Sequence, residues 1–258
     1  MTRVVIACTW WGHSTATVEL GSTRVVTDPL LTDRLFHLVR RGPTPGPEAT
    51  RADVVLVSHL HQDHCHLPSL RRFGSEVPLV VPRGAEHLLR GLAGDRLVPV
   101  EPGDVVTVAG LRIEALFASH DGRRHPLSRT DPPALGFRFA SDAGSCWYPG
   151  DTELRDDLAD IDPVDLALVP VGGWGPTLGS GHLDPAQAAE AARRVGARRA
   201  VPVHWGTFWP LALDRVARAN HHRLFVTPGA RFADALAGSG TQAVVLAPGD
   251  RFVAPDNG

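Results

Sequence analysis

Six consecutive residues, His59-Leu60-His61-Gln62-Asp63-His64, limit what this chain can fold into more than any other feature. They follow Asp53 to Ser58 (Asp-Val-Val-Leu-Val-Ser), a continuous apolar run of strand length, the pattern of a strand buried on both faces. The imidazoles of His59 and His61, at i and i+2, leave an extended segment on one side, and Asp63 and His64 follow after a turn. Four side chains of the kind that ligate Zn2+, Mn2+ or Fe2+ are therefore packed into one strand end. A fold that uses them needs other strand ends opening onto the same place.

Three more apolar runs meet that requirement. Leu111 to Ala118 leads to His120, Ser145 to Tyr148 leads through Pro149-Gly150 to Asp151, and Arg199 to Val203 ends at His204. In sheets covered by helices, ligands gather beyond the carboxyl ends of strands, so one shared site is expected. Seven candidates are too many for a single catalytic zinc, which takes about three protein ligands and keeps a position for water. We assign His59, His61 and His120 to one ion and Asp63, His64 and His204 to a second, with Asp151 bridging. The expected cofactors are two divalent metal ions, first Zn2+, with Mn2+ or Fe2+ as alternatives. Such ions sit roughly 3.5 to 4 Å apart and share a water whose pKa falls from about 15.7 toward 7, which makes the bridging hydroxide the expected nucleophile.

The remaining pattern supplies the scaffold. Arg3 to Thr9, Thr15 to Leu20 and Thr23 to Thr27 read as an antiparallel meander, and Leu111 to Ala118 forms a hairpin with Asp104 to Val108 through Ala109-Gly110. Leu135 to Ala140 and Asp165 to Val171 read as further strands. Helices are predicted over Gly84 to Leu92, from the Asp184-Pro185 start into Ala186 to Val195, over Leu211 to Arg218 and over Arg231 to Ala237. Late strands are predicted at Leu224 to Thr227 and Ala243 to Leu246. Residues 1–258 are read as one domain of stacked sheets with helices outside, an α/β class.

Composition excludes several functions. All 26 basic residues are Arg, so a lysine nucleophile or Schiff base is ruled out. A net charge of -2 gives no global field for nucleic acid or an anionic membrane. The odd set Cys8, Cys65 and Cys146 makes no disulfide framework and fits a reducing compartment. The run Val4 to Cys8 is too short for a signal-peptide core or a membrane span. The expectation is a cytoplasmic protein with a small-molecule substrate, no nucleic-acid partner and no membrane anchor, with homo-oligomer formation left open.

At these residues the chain resembles the metallo-β-lactamase superfamily of binuclear hydrolases, through His59 to His64, His120, Gly150-Asp151-Thr152 and His204. It is most similar to the branch with N-acyl-phosphatidylethanolamine phospholipase D and the ascorbate-6-phosphate lactonase. The finer marks are Trp11-Gly12-His13-Ser14, Thr27-Asp28-Pro29, Gly181-His182-Leu183-Asp184-Pro185 and His204-Trp205-Gly206-Thr207-Phe208. The resemblance implies a four-layer αββα sandwich with the metals at one edge of its two sheets.

Residues around the ligands carry paired readings. His13 is either a backbone-bonded structural histidine or a supporting residue beside Asp28. Asp28 is either a turn residue before Pro29 or, as the resemblance implies, a carboxylate orienting a ligand histidine. Asp63, which doubles as a ligand, and His182 are the expected catalytic side chains, with His182 as proton donor to the leaving group or oxyanion contact, against a plain loop histidine. Arg123 and Arg124 either grip a substrate phosphate or form a solvated charge run. Trp174, Trp205, Phe208 and Trp209 line an apolar pocket or pack the core, and Cys65 is read as packing. The leading expectation is a metal-dependent hydrolase of a phosphodiester or phosphate ester. The alternatives are a lactonase opening a cyclic ester and a non-enzymatic metal-binding protein with a retained fold.

Overall fold

The computed structural model describes residues 6–173 and 178–255. The first meander is β1 (Ile6–Gly12), β2 (Thr15–Leu20) and β3 (Thr23–Thr27); Arg3 to Val5 of its predicted first run lie outside the described residues. A short hairpin follows, β4 (Arg34–Leu35) and β5 (Leu38–Arg40). Then β6 (Val54–Leu56), β7 (Leu79–Pro82) and β8 (Leu97–Val100) extend the first sheet in parallel from β3. A second meander, β9 (Val105–Val108), β10 (Leu111–Phe117), β11 (Leu135–Ser141) and β12 (Gly144–Tyr148), leads to parallel β13 (Leu166–Pro170) and β14 (Arg199–Val203). After these come β15 (Phe208–Pro210), β16 (Gln242–Ala243) and β17 (Arg251–Val253). One seven-stranded sheet runs β17-β1-β2-β3-β6-β7-β8, the other β16-β14-β13-β12-β11-β10-β9, and β15-β5-β4 form a small third sheet.

Strand alternation explains why the apolar runs are continuous. In β6, Val54 and Leu56 face the other sheet while Val55 faces outward, and in β13 Leu166 and Leu168 point inward while Ala167 and Val169 point outward. The inner layer joins Trp10, Val18 and Leu56 to Phe137, Phe139 and Tyr148. Full burial of each such side chain contributes about 1.5–3 kcal/mol. On the outer faces, Leu70 and Leu89 of helices Leu67–Leu70 and Glu86–Ala93 cover the first sheet, and helices Pro185–Arg194 and Pro228–Leu236 cover the second. The αββα sandwich expected from the resemblance is present. Helix Pro185–Arg194 starts as predicted: the Asp184 carboxylate accepts from the backbone of Ala186 and Gln187, and the Gln187 side chain accepts from Asp184 N–H at 3.0 Å.

The predictions between Leu211 and Leu246 need correction. In place of one helix over Leu211 to Arg218 there are two single turns, Leu213–Val216 and Arg218–His221, because Ala212 is left-handed at φ 62° and Ala217 breaks the run. Leu224 to Thr227 is not a strand; His222–Val226 is helical, and Phe225 stacks on His221 and meets the Trp209 ring of β15 through its side chain, with no strand pairing. Of the last predicted strand, Ala243 to Leu246, only Ala243 lies in a strand, the two-residue Gln242–Ala243 that pairs with β14. No helix among the described residues is long and apolar enough to cross a membrane.

Candidate metal centre

Topology brings the ligand candidates together. Strands β1, β3 and β6 run in one direction in the first sheet, and β10, β12 and β14 run in one direction in the second. Beyond their carboxyl ends lie His13, Asp28 and His59 from one sheet, and His120, Asp151 and His204 from the other. Each sheet thus supplies three strand ends to one edge, as expected for a site built on rigid elements.

The histidine nitrogens are sorted by their partners. Nδ1 of His64 meets Asp28 Oδ2 at 2.7 Å, and Nδ1 of His120 and of His204 meet the carbonyls of Gly181 and Gly172, both at 3.0 Å. His59 Nδ1 faces Ser58 Oγ at 3.0 Å. Each of these contacts leaves Nε2 for the site, the arrangement that fixes a metal-binding imidazole. His61 turns the other way, its Nδ1 lying 2.9 Å from His59 Nε2 and 3.2 Å from His120 Nε2.

Four overlapping donor groups result, two of them being Asp28, His59 and His64, and His120, Asp151 and His182. The other two are His59, His61 and His120, and His13, Asp63, His64 and His204. Asp151 lies between them, its Oδ2 being 3.3 Å from His64 Nε2, 3.4 Å from His204 Nε2 and 3.5 Å from His182 Nε2. Its Oδ1 is buried without a hydrogen-bond partner among the described residues. An orphaned buried carboxylate oxygen is costly unless a cation takes it, so the donor set fits bound metal.

Electrostatics agree. Burial alone would neutralise His64, yet Asp151, Asp63 and Asp28 raise its pKa well above the ordinary value. Burial likewise opposes the charge of Asp63 and Asp151, but neighbouring histidines hold both carboxyls well below the usual range. His59, His61 and His120 are lowered chiefly by burial, and burial takes His204 to about 3. His59, His61, His120 and His204, neutral beside ionised Asp63 and Asp151, are in the protonation states that divalent ions require, whereas His64 must give up a proton when an ion binds.

The backbone is strained where the site is made. His13, Asp28 and His204 have φ of 53°, 33° and 64°, a left-handed region that costs about 1–3 kcal/mol for a non-glycine residue. The strain is held by buried bonds: His204 N–H donates to His13 O at 2.9 Å, and His13 N–H to Thr207 Oγ1 at 2.7 Å. Gly12 precedes them at φ 101°, where a Cβ would stand 2.7 Å from Thr207 and 2.8 Å from Arg40.

The surrounding residues divide. Asp28 orients His64 and also accepts from Ser58 N–H at 2.7 Å, Ser58 Oγ and the Tyr148 hydroxyl. His13 meets Asp63 Oδ2 at 3.1 Å rather than Asp28, so its predicted neighbour is corrected. His182 stands at the mouth, its ring 4.9 Å from that of His120. The two arginines are placed differently. Arg124 donates to the carbonyls of Leu60 and Cys65, bracing the ligand loop, and exposed Arg123 is forked onto Asp121. Arg124 spends Nη1 on the ligand loop, whereas Arg123, with Nε and Nη2 on Asp121, lines a second cavity beside His120. Cys65 is fully buried packing, its thiol pushed up to about 12.

Sequence reasoning missed the pocket walls. A cavity of about 440 Å3 opens from Asp63, His13 and His204 and is lined mainly by apolar groups from the small third sheet and the turns after Leu211. Trp205, Phe208 and Trp209 line it as predicted, and Trp174 lies outside the described residues. Buried Arg40 supports one wall, donating to the carbonyls of Thr32, Trp11 and Leu30 with its guanidinium 4.7 Å over the Phe208 ring. The sequence signal for this lay in Arg40 itself, an arginine that closes the apolar run Leu38-Val39 before a Gly/Pro-rich stretch.

Comparison with known proteins agrees with this geometry. Residues 23–205 match the family described as the beta-lactamase superfamily domain. A UPF0173 metal-dependent hydrolase of Nitratidesulfovibrio vulgaris is 31% identical over 239 residues, covering 86% of this chain and 92% of that protein. The N-acyl-phosphatidylethanolamine-hydrolyzing phospholipase D 1 of Caenorhabditis elegans is 29% identical over 231 residues, covering 78% of this chain. The match spans 64% of the phospholipase's length and 59% of that of uncharacterized mycobacterial relatives. Among solved structures, Igni18, a metallo hydrolase from Ignicoccus hospitalis, superposes with a TM-score of 0.71 over 98% of this chain and 100% of that one at 19% identity, which bears on the fold.

Proposed function

Because the chain belongs to the beta-lactamase superfamily, we propose that it is a metal-dependent hydrolase with a binuclear centre that cleaves a phosphodiester or related phosphate ester. The observation that carries this is Asp151 standing among the His59-His61-His120 and His13-Asp63-His64-His204 donor groups, its Oδ1 buried without a hydrogen-bond partner among the described residues. His59, His61 and His120 would hold one ion, Asp63, His64 and His204 the other, and Asp151 both. When bound, the ions acidify a water toward neutral pH and offset the charge that develops on the scissile group.

The chain's own residues supply the rest. Asp28 and the carbonyls of Gly172 and Gly181 keep three imidazoles from rotating, so the donors need no reorganisation during reaction. His182 stands at the mouth with Nε2 3.5 Å from Asp151 Oδ2, within reach of a departing alkoxide to which it would donate a proton. Asp63, bonded to His13, is fixed at the floor of the apolar cavity and orients whatever enters there.

Among the described residues no arginine lines this cavity. That favours a phosphodiester, with its single charge, over a dianionic monoester. The same apolar lining supports a second reading, opening of a lactone by the same centre. Bis-p-nitrophenyl phosphate assayed with Zn2+, Mn2+ and Fe2+ tests the choice: metal-dependent release of nitrophenolate is expected, and lactone opening without any phosphodiester turnover contradicts it.

A further inference from the structure

We propose that the substrate carries a compact, uncharged hydrocarbon group and that the cavity beside Asp63 and His204 binds that group and sets its size limit. This rests on the hydrolase reading above and goes beyond it by naming what is attached to the scissile bond. Three separate elements converge on the cavity: Leu38 from β5, Phe208 and Trp209 from β15, and Leu213, Leu224 and Phe225 from the turns that follow. Their side chains are apolar; among the described residues the polar side chains of the lining are His13, Asp63 and His204 at the ligand end, Thr207, and His37 and Asn220. A carboxylated substituent would therefore be desolvated with no arginine among the described lining residues to pair with it, whereas a hydrocarbon gains from every methylene buried.

Size follows from the walls. At about 440 Å3 the cavity lies toward the low end of the roughly 300–1,000 Å3 that accommodates drug-sized ligands, which suits a branched alkyl or ring group better than a long extended chain. Leu224 stands on this wall, in the helical turn His222–Val226, away from the metal-ligating residues. Changing its volume should move the limit.

The test is a ladder of n-alkylphosphonates, methyl, butyl, hexyl, octyl and dodecyl, titrated calorimetrically into metal-loaded protein, with the matching alkyl p-nitrophenyl phosphates as substrates. Affinity should climb by up to about fourfold per methylene, then flatten when the cavity is full. An ω-carboxyalkylphosphonate should lose that gain. Leu224→Phe should bring the plateau to shorter chains and Leu224→Ala to longer ones, opposite shifts that misfolding does not mimic. A flat ladder, no binding by any member, a carboxylated probe as tight as its alkyl counterpart, or a plateau unmoved by both variants overturns the proposal. A steep ladder of binding without turnover of any phosphodiester sinks the phosphodiester reading and leaves the pocket standing; turnover with a flat ladder does the reverse.

Discussion

Replacing Asp28 by Asn probes how the centre is organised, because this carboxylate touches no substrate and its shape is preserved. Asp28 is fully buried and takes four hydrogen bonds: Ser58 N–H on Oδ1, and Ser58 Oγ, the Tyr148 hydroxyl and His64 Nδ1 on Oδ2. In Asp28→Asn the amide oxygen must stay on Ser58 N–H, which has no other role than to donate. The amide NH2 then faces His64 Nδ1 and turns an acceptor into a donor. Both hydroxyls can rotate to accept, but the imidazole can adapt only by moving its proton to Nε2, the nitrogen offered to the metal. Loss of such an orienting partner typically costs 10- to 100-fold in metal affinity, about 1.4–2.7 kcal/mol. Competition against a chelator of known affinity measures it, one ion at a time. The ion held by Asp63, His64 and His204 should weaken by that factor and the other by much less; equal affinities for both ions in wild type and variant would refute the reasoning.

Other consequences follow from the same contacts. His182→Gln should keep its full metal content yet lower turnover of substrates with poor leaving groups by about 10²–10⁴, with p-nitrophenyl esters far less affected; a uniform loss across leaving groups contradicts the proton-donor role. Arg124→Ala strips the donor from the carbonyls of Leu60 and Cys65 and should destabilise the fold by about 1–3 kcal/mol in urea melts, whereas Arg123→Ala should leave the midpoint in place. Four imidazoles, His59, His61, His120 and His204, are held below the ordinary histidine pKa, the last to about 3, so the unfolded chain binds their protons first. Their contribution is intact above about pH 6.5 and is lost as pH falls below it; His64, raised, keeps its contribution below that pH and loses it only as pH rises further. Chelator-treated protein should therefore have a lower Tm at pH 5 than at pH 7, and an equal or higher one would show that these histidines are not buried neutral.

Much of the scaffold could be read from residues because burial on both faces writes a continuous apolar run. Val54 to Leu56 and Leu166 to Pro170 are such runs, and the ligands stand just past strands of this kind. Asp184-Pro185 was legible for a local reason, since a cap is specified by the residues that make it. The segment from Leu211 to Val226 was not, because its apolar residues answer to a cavity formed with β5 and β15, distant in the chain, rather than to a helix or strand period. The partner of His13 and the brace made by Arg124 were hidden for the same reason. Both depend on loops meeting in three dimensions, and a side chain's residue type does not reveal whether its donors are already taken.

Elemental analysis of the reconstituted protein tests the central claim most directly. The account predicts about two divalent ions per chain in the wild type and about one in His61→Ala, with the ion at Asp63, His64 and His204 retained. A wild-type chain that saturates at a single ion, or a His61→Ala variant that still binds both, would contradict it.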